Sequence, residues 1–133
     1  MEYLYLQDNP IVTLKKEGFE NLTSLTMLLM HFTEVYELED DVFTYNPMLQ
    51  YVWLTKSNVH IINPNAFKNL TYLKQVYLDY NSLTNWSAGL FKDSPKIEKL
   101  LLNDNAGLTP DCCKMCGIAP GTWITVSGLS SAQ

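Results

Sequence analysis

The residues able to carry chemistry are few and gathered. Cys112, Cys113 and Cys116 are the only cysteines of this 133-residue chain, and they fall within five residues of one another. At this C-C-x-x-C spacing three outcomes are open: one disulfide with an odd thiol, free thiols, or three ligands to a zinc ion whose fourth must come from elsewhere. His31 and His60 are the only histidines, and both are distant in sequence from the thiols. Imidazole titrates near neutrality, so His31 can make an interaction pH-dependent. Glu37, Glu39, Asp40 and Asp41 form an acidic run, and such a run is by default a solvated face. There is no P-loop or other Gly-rich phosphate loop, and no catalytic constellation. The expectation is a protein that is not an enzyme, takes no cofactor and has no residue assigned to a metal.

Composition narrows the partners. All nine basic residues are Lys, against 14 acidic ones, for a net charge of −5. A mildly acidic chain without Arg is a poor match to phosphate backbones, so no nucleic-acid partner is expected. No apolar run approaches the roughly 20 residues of a membrane span. Met1-Glu2-Tyr3-Leu4 lacks the basic and long apolar regions of a signal peptide, so either one was removed or the chain is a fragment. The 47% hydrophobic content is enough for the core of one domain.

What positions these residues is an internal repeat. Phe19, Phe43, Phe67 and Phe91 stand 24 residues apart. The same interval relates Leu4, Leu28, Val52, Val76 and Leu100, and again Leu6, Met30, Leu54, Leu78 and Leu102. A polar column reads Asn9, Thr33, Ser57, Asn81 and Asn105. Each unit follows L-x-x-L-x-L-x-x-N-x-L, as in Leu73 to Leu83. Apolar residues three and then two apart suit a short strand whose alternate side chains enter a core. The polar residue at the ninth place can bond backbone as the chain leaves the strand, and Asn, Ser and Thr all have this capacity. The Phe column at the nineteenth place predicts a stacked spine.

This pattern resembles the leucine-rich repeat family over residues 1–109, and the F-x-x-L-x-x-L stretch is similar to the 24-residue "typical" extracellular class of Toll-type receptors, small leucine-rich proteoglycans, Slit-type ligands and variable lymphocyte receptors. The resemblance implies a right-handed solenoid with a concave parallel sheet of five to six short strands and a convex side of turns and 3-10 pieces. It also implies an extracellular or secreted setting. Asn46-Pro47 and Ser94-Pro95 depart from the family pattern, and the cysteines do not follow the spacing of its terminal caps. The expected domain is 1–127, with repeats 1–24, 25–48, 49–72, 73–96 and 97–120. Carrying the phase forward places a terminal edge strand within 121–127, with Ile124 and Val126 in the core, and leaves 128–133 as a flexible tail.

Places three, five, seven and eight of each unit should face outward on the concave side. They hold Tyr3, Tyr5, Met27, Leu29, His31, Phe32, Tyr51, Trp53, Tyr77, Asp79 and Tyr80, which include seven of the sixteen aromatic residues. An exposed aromatic patch marks an interaction site. Asp8, Asp79 and Asp104 are expected to give it an acidic fringe. The sequons at Asn21, Asn69 and Asn85 offer N-glycosylation in a secreted chain. The function expected is a non-catalytic extracellular module presenting the concave face to a protein or glycan. The alternative is a structural segment of a larger repeat protein, with contacts through the solenoid ends. Leu4 and Leu6 would then lie at an uncapped amino-terminal edge, where self-association is expected.

Overall fold

The computed structural model describes residues 2–84, 87, 89–108, 123–126 and 129–132. Seven strands form the main sheet. Six of them are β1 (Tyr3–Tyr5), β2 (Met27–Leu29), β4 (Tyr51–Trp53), β6 (Gln75–Tyr77), β7 (Lys99–Leu101) and β8 (Trp123–Val126), all parallel in that order. Every parallel pairing has a 24-residue offset, such as Leu28 with Val52 and Val52 with Val76. The period read from the sequence is thus the register of the sheet. On the return path lie a 3-10 helix, Lys16–Phe19, and a second small parallel sheet of β3 (Glu37–Leu38) and β5 (Ile61–Ile62). The convex side therefore carries a two-stranded sheet as well as the expected turns.

The carboxy-terminal end also differs from expectation. β8 is not the edge, because β9 (Leu129–Ala132) pairs with it antiparallel, Val126 opposite Leu129. Within the segment read as a loose tail, Leu129–Ala132 is a strand. An open sheet edge leaves backbone donors and acceptors unpaired, and a returning strand satisfies them. Cys112, Cys113, Cys116, Asn85 and Met1 lie outside the described residues.

The core is the stack of repeat columns. Leu28, Val52, Val76 and Leu100 are fully buried, as are Met30, Leu54, Leu78 and Leu102. The phenylalanines form the predicted spine, with ring centroids 6.2 Å apart for Phe19–Phe43, 6.0 Å for Phe43–Phe67 and 5.1 Å for Phe67–Phe91. In the fifth unit the pattern slips by one residue. Gly107 replaces the apolar eleventh place, and a Cβ there would stand 2.4 Å from Thr84 Cα. Leu108 fills the core in its stead.

Ninth-place side chains bind successive coils together. Asn81 Nδ2 donates to Leu54 O at 2.8 Å and Leu78 O at 3.0 Å, so one amide holds the sixth-place carbonyls of two adjacent units. Its Oδ1 accepts from the N–H of Ser57 and of Val59. Asn105 repeats this with Leu78 O, Leu102 O and the N–H of Leu83. Thr33 donates to Met30 O within its own unit, while Ser57 Oγ reaches Met30 O at 2.7 Å in the preceding unit. The shorter side chains do part of the same work.

The departures at place 22 have a similar use. Asn46 Nδ2 donates to Phe19 O and Leu22 O, and Ser94 Oγ donates to Leu70 O, each spanning to the preceding unit. The leucines they replace, Leu22 and Leu70, occupy the alternate units. Pro47 and Pro95 follow where no N–H is needed.

The spine predicts a gradient of stability. Phe67→Ala, with ring neighbours on both sides, should cost about 3–5 kcal/mol through the cavity it leaves. Phe19→Ala, with one ring neighbour among the described residues, should cost less. Denaturant melts of the two variants check this; equal losses near zero would contradict the spine.

Candidate functional site

Alternation along each strand sets the concave face. In β2, β4, β6 and β7 the middle residue is buried and its neighbours are half-buried, which places Met27, Leu29, Tyr51, Trp53, Gln75, Tyr77, Lys99 and Leu101 outward. Tyr3 and Tyr5 are exposed and stack on each other, with centroids 6.5 Å apart. The aromatic patch expected from the sequence is therefore brought together on one face.

Within it the rings form a cluster across the strands. Trp53 and Tyr77 lie nearly coplanar-parallel, with centroids 4.9 Å apart and planes 5° apart. His31 stacks against Trp53 at 6.0 Å and 12°. Lys99 Nζ sits 5.3 Å from the Tyr77 ring centroid, a cation–π contact. Tyr51 meets Trp53 edge-on. His31 also lies 6.4 Å from Tyr77 with planes 17° apart, so the three rings pack as a triangle of nearly parallel planes in which Trp53 and Tyr77 are the closest pair. Trp53 Nε1 is buried without a hydrogen-bond partner among the described residues.

A polar chain runs along place seven from His31 of this cluster. Thr55 N–H donates to His31 Nδ1 at 2.9 Å, and Thr55 Oγ1 donates to Asp79 Oδ1 at 2.7 Å. Asp79 is thus not part of an open acidic fringe: it is only 8% exposed and tied to Thr55. The exposed acids of this face are Asp8 and Asp104. Burial pushes the His31 imidazole below its ordinary value, with Asp79 opposing the shift. The Thr55 bond acts the same way as burial, because it uses the lone pair that a second proton would need.

Place eight differs from the strand-like position expected. Asp8, Phe32, Lys56, Tyr80 and Asp104 follow the strands and share left-handed backbone, with φ from 54° to 61°. For a bulky ring this is a strained state costing about 1–3 kcal/mol. The parallel ladder imposes it: the N–H groups of Asp8, Phe32, Lys56 and Tyr80 donate to the carbonyls of His31, Thr55, Asp79 and Asn103. Sequence reasoning missed this strain, since no glycine marks it. It also missed a second stack, Tyr36 on His60 at 4.3 Å, directly before the two strands of the small sheet. The 24-residue column Val12, Tyr36, His60 was the available signal.

The remaining candidates lie elsewhere. Asn21 and Asn69 are exposed in the return segments, and the Asn69 N–H donates to Asp93. The acidic run is a set of ties between coils rather than a bare solvated face. Glu39 pairs with Lys15 at 2.8 Å, Glu37 accepts from Asn63, and Asp40 accepts from the Asn65 N–H.

Comparison with known proteins agrees with this geometry. Residues 47–106 match the leucine rich repeat family model. The crystal structure of a TLR13-ssRNA13 complex contains a similar chain, with a TM-score of 0.77 and 28% identity over 82% of this chain. This chain spans 15% of that one. No curated protein sequence matches significantly. The complex corrects one expectation, that nucleic acid is excluded. A chain of this fold is solved with single-stranded RNA, and single strands can be held by stacking on aromatic side chains as well as by cations. Bulk acidity and the lack of Arg do not decide the matter.

His31 gives a pH prediction. Its folded-state pKa lies below the ordinary value of 6.5, so its stabilising contribution is complete above that pH and is lost as pH falls through the depressed folded value. The thermal midpoint of the wild-type chain should therefore drop more on acidification from neutrality than that of His31→Phe. Parallel curves would show that His31 carries no such linkage.

Repeat period, solenoid sheet, the family-model match over residues 47–106 and structural likeness converge on a leucine-rich repeat solenoid fold.

Proposed function

We propose that this chain is a non-catalytic binding module of the extracellular space that captures a protein partner on its concave sheet. The observation carrying this reading is the His31–Trp53–Tyr77 ring cluster with Lys99 against it. Stacking a sugar or a base needs a free ring face, and Trp53 and Tyr77 turn one face each to the other, with Lys99 over the Tyr77 ring. Ring edges, the Tyr51 and Tyr77 side chains and the exposed Tyr3–Tyr5 pair instead offer amphipathic contact area of the kind protein interfaces use. The sequons at Asn21, Asn69 and Asn85 and the resemblance to the 24-residue class support the extracellular setting. The reading is the same if these units form one stretch of a longer solenoid, because each row is built by adjacent coils alone.

A second reading is single-stranded RNA, which the solved complex favours. In this chain Phe32 and Tyr80, 52% and 54% exposed, flank Lys56 at the rim. Rings beside a cation are the elements of a single-strand site. Asp8 and Asp104 on the same rim oppose it.

Binding of the purified chain to arrays of cell-surface proteins and glycans, and to a fluorescent single-stranded RNA, separates these readings. The first expects a protein whose affinity falls about thirtyfold, or roughly 2 kcal/mol, in Trp53→Ala, a hot-spot loss. Lys92→Ala, in the return segment, should leave it unchanged. Loss on Lys92→Ala with retention on Trp53→Ala would contradict the choice of face. RNA binding that steepens as salt is lowered, with no protein bound, would favour the second reading.

A further inference from the structure

The rim row at place eight reads Asp8, Phe32, Lys56, Tyr80, Asp104, one residue per coil and all exposed. The ladder fixes a left-handed backbone at each. Asp, at both ends of the row, tolerates that backbone, whereas a bulky ring does so poorly. Phe32 is 52% exposed, and its ring meets only the His31 ring among the described aromatic pairs, edge-on at 6.2 Å. Neither backbone preference nor internal packing accounts for a phenyl ring there. Strain held at an exposed position points to a use outside the fold.

The charges along the row say what covers it. Successive coils lie about 4.8 Å apart, so Asp8 and Lys56 flank Phe32 at equal distances on either side. Neither is ion-paired among the described residues. Consider a second copy turned about a two-fold axis through Phe32. The rows run antiparallel, Phe32 meets Phe32, and Lys56 of each copy meets Asp8 of the other. An axis at Lys56 would set Lys on Lys and Asp on Asp. An axis at Tyr80 would pair Lys56 with Asp104, but it would bury a phenol hydroxyl that needs a partner.

We propose that the place-eight row is an interface between two copies of this chain, closed by a two-fold axis at Phe32 with a Lys56–Asp8 ion pair on each side. The contact is self-complementary, as a two-fold interface must be. Its small extent makes the association weak, with dissociation constants in the micromolar range or above. This surface lies at the strand ends and adjoins the ring cluster through the Phe32–His31 contact.

Sedimentation equilibrium of the full chain from micromolar to millimolar concentration tests it, with a monomer–dimer equilibrium expected. Phe32→Asn should weaken dimerisation at least about tenfold while raising the thermal midpoint, because Asn accepts the left-handed backbone. Lys56→Asp should also weaken it, and Lys56→Asp combined with Asp8→Lys should restore it. Tyr80→Gly should leave it unchanged. A chain that stays monomeric throughout would overturn the proposal. So would dimerisation indifferent to Phe32→Asn, loss on Tyr80→Gly instead, or failure of the charge exchange to restore pairing. Single-stranded RNA that binds a monomeric wild type and is lost in Phe32→Asn would overturn it and assign the row to nucleic acid.

Discussion

One side-chain arrangement underlies the rest of the structure: the ninth-place amide that holds the carbonyls of two coils at once. A short strand of three residues forms few backbone bonds and cannot specify its own register. Asn81 supplies what the strand lacks, donating to Leu54 O and Leu78 O and accepting from Ser57 and Val59. All of these groups are buried, and an unpaired buried donor or acceptor costs about 1–3 kcal/mol. The amide therefore stabilises less by the bonds it adds than by the orphans it prevents. It also fixes where the chain leaves the sheet. That exit determines which side chains face outward, and hence the ring cluster and the rim.

Outward positions are consequently decoupled from the fold. Third-, fifth-, seventh- and eighth-place residues differ from coil to coil, while the buried columns stay apolar and the ninth place stays polar. A scaffold of this kind carries a binding surface as a set of rows that can change without disturbing the core. The similarity to a receptor chain solved with single-stranded RNA shows the fold alone does not choose the ligand. In this chain the choice falls to the outward ring cluster, two exposed rim rings and a few charges.

The architecture was legible because a solenoid writes its register into the sequence. The Phe spine, the core columns and the strand offset all follow from a 24-residue interval. β9 was not legible, since it breaks the period and arises from sheet-edge satisfaction instead. Which residues face outward could be read, but not what they do to one another. Ring stacking between His31, Trp53 and Tyr77 depends on rotamers, which the period does not record. Asp79 looked like surface charge, yet its coil position buries it beneath Thr55. The left-handed rim escaped because Phe32, Lys56 and Tyr80 are not residues that announce that backbone. The exclusion of nucleic acid failed for another reason: net charge averages over faces, whereas a ligand meets only one.

Amide exchange in Asn81→Ala tests most directly whether the ninth-place amide sets the register of these coils. Asn81 Oδ1 holds the N–H groups of Ser57 and Val59, while Asn105 independently holds that of Leu83. The account predicts that Ser57 and Val59 lose protection in the variant while Leu83 keeps it. Unchanged protection at Ser57 and Val59, or a uniform loss that includes Leu83, would contradict it.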